Sequence, residues 1–201
     1  YLKPITYNLI MSNIRKYFNT ENARIKRYNQ MCELVGLKPA HRILDVGSGN
    51  GLSFEIFNKE NEITGLDLDA KTSIKRNKFK YVQGDGSDMH MFKNKEFDLV
   101  VCVGVFEHVH PYEKMRNMAE EIRRIGKGYV ILIPHFWTII EPHYQVPFWQ
   151  LYPRSLKMFL TKHFNLGNYY KNEKGEYEVL NYFRKSGWEK LFPDGEVFSY
   201  N

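Results

Sequence analysis

Hydrophobic positions follow two different rhythms along this chain, and the change comes near Arg42. Up to about Leu37 they recur at helical spacing. Leu9, Ile10, Ile14, Tyr17 and Phe18 form one stripe and Ile25, Tyr28, Met31 and Val35 a second, with Asn19-Thr20 as an interruption. This predicts a helical N-terminal extension. From Arg42 the text turns into short apolar runs that each end in Gly or Asp and lead into polar helical stretches, the mark of alternating strand and helix. Strands are expected at about 42–46, 62–67, 79–82, 97–103 and 128–133, with helices starting near Leu52, Ala70 and Pro111.

The runs Leu99–Val103 and Tyr129–Ile133 are apolar on both faces, as expected only of strands in a parallel sheet covered by helices on both sides. The prediction is an α/β, doubly wound fold. Beyond Pro134 the order degrades until Pro153, which opens a short helix through Leu160. Ser186 and Glu189 have the spacing of a capping box, starting a helix that stops before Pro193, and Glu196–Tyr200 reads as a last strand. A single domain over 1–201 is expected: a helical cap at 1–37, a ligand-binding core at 38–134 and a substrate-side lid at 135–201.

Composition narrows the class. The 43% hydrophobic and 26% charged content is ordinary for a globular protein. A net charge of +6 leaves an RNA or other anionic partner open, although no run of Lys and Arg marks a nucleic-acid patch. Cys32 and Cys102 lack the paired spacing of a metal knuckle or disulfide framework, which fits a reducing cytoplasm. The longest apolar run, Leu99 to Phe106, is too short for a membrane span, and no signal-peptide pattern opens the chain. Since residue 1 is Tyr and not Met, the missing signal pattern carries little weight.

The most informative stretch is Ile43-Leu44-Asp45-Val46-Gly47-Ser48-Gly49-Asn50-Gly51, a hydrophobic strand running into three alternating glycines. A dinucleotide loop would place its third glycine at position 52, which is Leu. Asp45 would also repel a pyrophosphate but could hold a cationic group. At the next strand tip, Asp67 is placed to accept both hydroxyls of a ribose, while Asp69 looks like a helix cap. Gln83-Gly84-Asp85-Gly86 sets a third acid at a third tip, suited to the exocyclic amine of a base. Together these acids describe a nucleoside site with an amino-acid tail.

With Asp45 before alternating glycines, Asp67 and Asp85 at the following tips, and Phe97–Val109 as the fourth strand, the chain resembles the class I S-adenosylmethionine-dependent methyltransferases over about residues 38–134. The resemblance implies a mostly parallel, seven-stranded Rossmann-like sheet and S-adenosylmethionine as cofactor, with S-adenosylhomocysteine as product. It also implies cofactor contacts from Asp45, Val46, Gly47, Ser48, Gly49, Asp67, Leu68, Gly84, Asp85, Gly86, Val103 and Gly104. Gly47 and Gly49 would admit the methionine and ribose, Asp45 would orient the amino group, and Asp85 with Gly86 would meet the adenine edge.

The acceptor is less defined. Enzymes acting on exocyclic amines resemble one another in a Pro-Pro-aromatic motif after the fourth strand, where this chain has Val103-Gly104-Val105-Phe106. Methylation of pyrimidine carbon needs a Cys nucleophile, but Cys102 sits in a doubly apolar strand, where an inert thiol is expected. A hydroxyl acceptor must lose a proton, and the fourth and fifth tips offer Glu107, His108, His110, His135, Glu141 and His143. The segment Ile139–Trp149 should rise over the C-terminal edge of the sheet on the methyl side. Trp137, Tyr144, Phe148 and Trp149 there offer flat faces to a ring acceptor, although each is more simply read as packing.

Glu141-Pro142-His143, Pro147-Phe148 and Pro153-Arg154 also look like a subgroup of small methyltransferases of glycan and polysaccharide biosynthesis. Asn181-Tyr182-Phe183, Ser186, Trp188 and Leu191-Phe192-Pro193 extend that likeness. The expected activity is O-methylation of a sugar or other small polar acceptor. His143 is the expected base, with His108 and Glu141 as further catalytic candidates and His135 as a third possible base. For His108 a structural hydrogen bond explains the residue as well as catalysis does, and His41, His90 and His163 read as surface or capping residues. An RNA methyltransferase and a non-catalytic cofactor-binding scaffold are the alternatives, and no metal-ligand set is visible.

Overall fold

The computed structural model describes residues 5–9, 41–49, 53–57, 60–69, 78–141, 143–164 and 180–200, with isolated positions from 26 to 38 and at 51 and 166. Its strands are β1 (Ile5–Leu9), β2 (Arg42–Val46), β3 (Glu62–Asp67), β4 (Phe79–Gln83), β5 (Phe97–Val103), β6 (Gly126–Pro134) and β7 (Glu196–Tyr200). They form one sheet in the order β4-β3-β2-β5-β6-β1-β7, and every pairing is parallel. The helices are α1 (Ser53–Ile56), α2 (Tyr112–Ile125), α3 (Arg154–Phe164) and α4 (Lys185–Leu191), with 3-10 turns at Phe106–His108 and Trp149–Leu151.

The central strands are buried on both faces, and alternate residues serve two cores. Val100, Cys102, Tyr129 and Ile131 pack with α2 through Met115, Met118, Ala119 and Ile122, which recur at helical spacing. Leu99, Val101, Val130 and Leu132 face Met31, Phe54 and Phe57 on the other side. Each fully buried Ile or Met contributes about 1.5–3 kcal/mol by leaving water, so α2 is fixed mainly by its apolar stripe. A third cluster, Tyr144, Trp149 and Leu180 with Leu160 and Tyr182, lies under the segment that follows β6.

Two expectations are corrected. The N-terminal cap was expected to be helical, yet Ile5–Leu9 is a strand between β6 and β7, with Ile5 opposite Val130 and Leu9 opposite Pro134. The text Ile5-Thr6-Tyr7 is rich in β-branched and aromatic residues, and pairing on both sides satisfies its backbone, so tertiary context overrides the helical period. Positions 26, 29–31 and 33 are helical; Ile10, Ile14, Tyr17, Phe18, Asn19, Thr20 and the helix start at Ala70 lie outside the described residues. The capping box at Ser186 and Glu189 does not form. Instead α4 begins two residues earlier, after Arg184, with no side-chain cap, and Glu189 lies 3.8 Å from Lys185 one turn back.

The loop from β4 to β5 carries residues 84–96 and is pinned from beneath by Arg124 of α2. Its guanidinium donates to the carbonyls of Phe92 and Met89, to Asn94 Oδ1 and to both oxygens of Glu121. One side chain thereby fixes the run that begins with Asp85 and Gly86.

Candidate active site

The first strand-to-helix turn is built by glycine conformation. Gly47 and Gly49 have φ of +75° and +51°, a region that costs other residues about 1–2 kcal/mol. A Cβ on Gly47 would come within 2.2 Å of Val105 Cγ2, whereas one on Gly49 would meet nothing within 4 Å. Gly47 therefore packs down onto the β5 tip, and Gly49 faces open space. The N–H groups of Gly47 and Ser48 donate to Leu66 O, and that of Gly49 donates to Asp67 Oδ2 at 2.8 Å. Asp67 Oδ1 accepts the Asp69 N–H, giving a tight turn at the β3 tip, and the helix that Asp69 was expected to cap lies outside the described residues.

The other expected contacts differ in what they leave exposed. Asp45 is 2% exposed, with its carboxylate against the Ser53 hydroxyl at the start of α1. Val46 is in the core, so only its backbone faces the loop. The Ser48 hydroxyl is buried without a hydrogen-bond partner among the described residues. Leu68 is 63% exposed directly after Asp67. Asp85 binds Lys114 Nζ at 2.6 Å and accepts from the N–H and hydroxyl of Ser87. Burial raises the Asp85 pKa, but Lys114 and Ser87 outweigh it and hold the carboxyl below its ordinary range. Gly84 and Gly86 sit against Leu66 and Val46, where a Cβ would crowd the sheet.

Gly104 links this turn to a second set of polar groups. It has φ +67°, and a Cβ there would lie 3.6 Å from Glu107 Oε1. Glu107 is 2% exposed, and its Oε2 is buried with no hydrogen-bond partner among the described residues. Burial raises its pKa, with His108 and His143 pulling the other way. Asn181 holds the turn in place: its N–H donates to Glu107 O at 2.8 Å and its side-chain amide to Val109 O at 2.7 Å.

Across from Glu107 stands His143. An antiparallel bridge, Ile140 to Pro147, folds the segment after β6 back on itself. Within the fold-back, Glu141 Oε2 accepts the N–H groups of His143 and Tyr144, each at 2.7 Å, and Oε1 lies 2.6 Å from His143 Nδ1. His143 Nε2 is 4.0 Å from Glu107 Oε1, and the His108 ring meets that of His143 edge-on at 5.3 Å. Tyr182 and Lys157 flank the group. Burial and the Glu141 charge push the Tyr182 phenol well up, while burial lowers the Lys157 ammonium, which lies over the Tyr182 and Trp149 rings.

The remaining candidates divide. His135 Nδ1 accepts the Trp137 N–H, and burial lowers its pKa. His90 and His163 are exposed, and His41 Nδ1 accepts the Lys38 N–H. Tyr144 and Trp149 are buried and stacked at 4.3 Å, so they are core and not faces for a ring; Trp137 and Phe148 are about half exposed. Cys102 is completely buried and its thiol pKa is raised by burial, with Asp45 and Glu107 adding to it, as an inert thiol requires. Asn181, Tyr182 and Lys114 were not singled out from sequence as site residues, and Glu107 was named only as one of six groups able to take a proton. The apolar run into Phe106-Glu107 was the signal for Glu107, since a carboxylate ending a doubly buried strand is costly unless used.

Comparison with known proteins agrees with this layout. Residues 44–133, from β2 to β6, match the family model described as Methyltransferase domain. Solved structures with the same fold include a SAM-dependent methyltransferase of Methanosarcina mazei, at 20% identity over 79% of this chain and 80% of that one, with a TM-score of 0.54. Another is a SAM-dependent methyltransferase of Archaeoglobus fulgidus, at 21% identity over 73% and 70%, with a TM-score of 0.51. The chain is also 32% identical over 101 residues to the cyclopropane-fatty-acyl-phospholipid synthase of Escherichia coli, covering 46% of this chain and 25% of the synthase. It is 38% identical over 94 residues to an uncharacterised protein of Methanocaldococcus jannaschii, covering 45% of this chain and 39% of that protein. It thus spans well under half the length of these curated relatives. Among the described residues, no helix is long and apolar enough to cross a membrane.

Proposed function

We propose that this chain is an S-adenosylmethionine-dependent methyltransferase that alkylates a hydroxyl oxygen of a sugar or other small polar acceptor. The observation that carries the reading is the continuity of the two polar sets: Gly47 packs on Val105, Gly104 approaches Glu107, and Glu107 faces His143. A ligand seated on the glycine turn thus has its reactive end beside a base.

The residues fit the cofactor. Open space above Gly49 and the orphaned Ser48 hydroxyl leave room and an unused polar group at the turn. Asp67 would accept the ribose hydroxyls with lone pairs left by its two backbone donors. Asp45, held by Ser53, would supply the charge opposite the ammonium. Asp85 is already paired with Lys114, so the backbone of Gly86 would take the larger share of the adenine edge. Bound there, the cofactor supplies an electrophilic methyl group on a sulfonium.

The chain's own work is positioning and proton removal. Methyl transfer in line requires the acceptor oxygen about 3 Å from the methyl carbon. Glu141 Oε1 accepts a hydrogen bond from His143 Nδ1–H, which holds the tautomer with a lone pair on Nε2. Nε2 then takes the hydroxyl proton as the oxygen bonds to carbon, worth about 10²–10⁴-fold in rate. With both oxygens engaged, Glu141 positions His143 and is not itself the base. His108 stands against the same ring as the second candidate.

A second reading, transfer to carbon of an apolar acceptor, is favoured by the exposed Trp137, Ile139 and Phe148 on the segment above the site and by the name of the Escherichia coli relative. Isothermal calorimetry with S-adenosylmethionine and S-adenosylhomocysteine, followed by a panel of polyols and unsaturated lipids with methyl-labelled cofactor, separates the two. Label on polyol oxygen is expected. Label on lipid carbon alone establishes the second reading, and absence of cofactor binding removes both.

A further inference from the structure

We propose that Glu107, His108 and His143 form a binding site for one divalent transition-metal ion of the zinc class. Each offers a ligand atom, and the three atoms lie within 4.8 Å of one another although the residues come from two separate loops. Two imidazoles and one carboxylate suit zinc, iron or cobalt; magnesium and calcium prefer all-oxygen shells.

Two independent features point to a cation. The first is Glu107 Oε2, a carboxylate oxygen on a residue 2% exposed and without a hydrogen-bond partner among the described residues. Leaving such an atom bare is costly, and an ion held by both oxygens of the carboxylate removes the cost. The second is the Glu141 carboxylate, 2.6 Å from His143 Nδ1. Ligating histidines characteristically donate their other N–H to a carboxylate, which fixes the ring and strengthens the donor. Here the nitrogen left for coordination is Nε2, which faces Glu107.

The distances are compatible. Zinc bonds of about 2.0–2.1 Å in a tetrahedron place donors about 3.4 Å apart, so the 4.0 Å between His143 Nε2 and Glu107 Oε1 must close by about 0.6 Å, and no pair within the 4.8 Å limit has more than about 1.4 Å to close. Small side-chain torsions supply that, while Asn181 anchors the backbone on either side of His108. Three protein ligands leave a fourth position open, as in catalytic rather than structural zinc sites.

This inference goes beyond the methyl-transfer reading in adding a regulator to the same site: a bound ion takes the Nε2 lone pair proposed to accept the hydroxyl proton. Loaded and metal-free protein would then differ in activity. The metal-free protein is titrated with zinc against a chromophoric chelator, without cofactor or acceptor. One ion per chain at micromolar affinity or tighter is expected. Affinity should fall at least tenfold in Glu107→Gln and in His143→Ala, and stay unchanged in His90→Ala. Cobalt(II) absorption of the unsubstituted chain gives the same information without relying on the variants to fold, with four-coordinate bands expected. No stoichiometric binding, octahedral cobalt only, or an affinity indifferent to Glu107→Gln and His143→Ala overturns the proposal. Cofactor calorimetry on the same sample is independent of all these outcomes, so failure here is distinguishable from failure of the methyltransferase reading.

Discussion

The backbone N–H of Gly49 donates to Asp67 Oδ2 across 2.8 Å, joining the glycine turn after β2 to the tip of β3. One carboxylate thus shapes the loop from below while facing the space above Gly49. Asp67→Ala should loosen the loop and remove the proposed ribose acceptor together. Hydrogen bonds to a charged group are worth about 1.5–3 kcal/mol, so S-adenosylmethionine affinity should fall about ten- to a hundredfold by calorimetry. Unchanged affinity would detach Asp67 from the cofactor.

Gly47 and Gly49 should separate stability from binding. Gly47→Ala meets both the left-handed backbone and a 2.2 Å clash with Val105, so urea unfolding should show a loss of about 2–4 kcal/mol. Gly49→Ala meets only the backbone penalty, about 1–2 kcal/mol. Its methyl group nevertheless projects into the space proposed for the cofactor, so binding should suffer more than folding.

Replacing Glu141, proposed to orient the base, should affect turnover more than affinity. Glu141→Gln presents an amide N–H to one of the donors now bonded to the carboxylate, the His143 ring or the backbone N–H groups of His143 and Tyr144. A fall of about ten- to a hundredfold in kcat with an unchanged cofactor Kd is the expected outcome. Equal loss of both would make Glu141 a residue of the fold alone.

Asp85 predicts a pH effect of definite sign. Its carboxyl is held below the ordinary range by Lys114 and Ser87 against the effect of burial, so its stabilising contribution is present above the unfolded pKa and lost as pH falls through the folded value. Lys114→Ala shrinks that shift. The variant should be less stable than the parent at pH 6 by on the order of 0.5 kcal/mol, after discounting a pair that is over a third exposed. The difference should vanish once Asp85 is protonated in both proteins, which denaturation at pH 2 to 6 would show.

The strands from β2 to β6 were legible because burial on both faces of a parallel sheet imposes apolar runs that no other element requires, and Gly or Asp stops them at the functional edge. The β1 strand was not, because Ile5–Leu9 suits either element locally and its neighbours β6 and β7 come more than a hundred residues later. At the site, sequence named His143, Glu141 and His108 but ranked them as alternative catalysts. The division of labour proposed for them depends on a fold-back that brings Glu141 under His143, and on Glu107 arriving from the β5 tip 36 positions earlier. No spacing rule encodes that meeting. Tyr144 and Trp149 are packing, the simpler of the two readings, which text alone does not separate because an aromatic looks the same whether it lines a cleft or fills a core.

The most direct test of the central claim compares the parent chain with His143→Ala, using metal-free protein, methyl-labelled S-adenosylmethionine and a panel of hydroxyl-bearing acceptors. The parent should bind the cofactor and place label on oxygen, and the variant should bind it equally well while transfer falls at least a hundredfold. A parent chain that does not bind S-adenosylmethionine, or a variant that transfers the label as fast as the parent, would contradict the account.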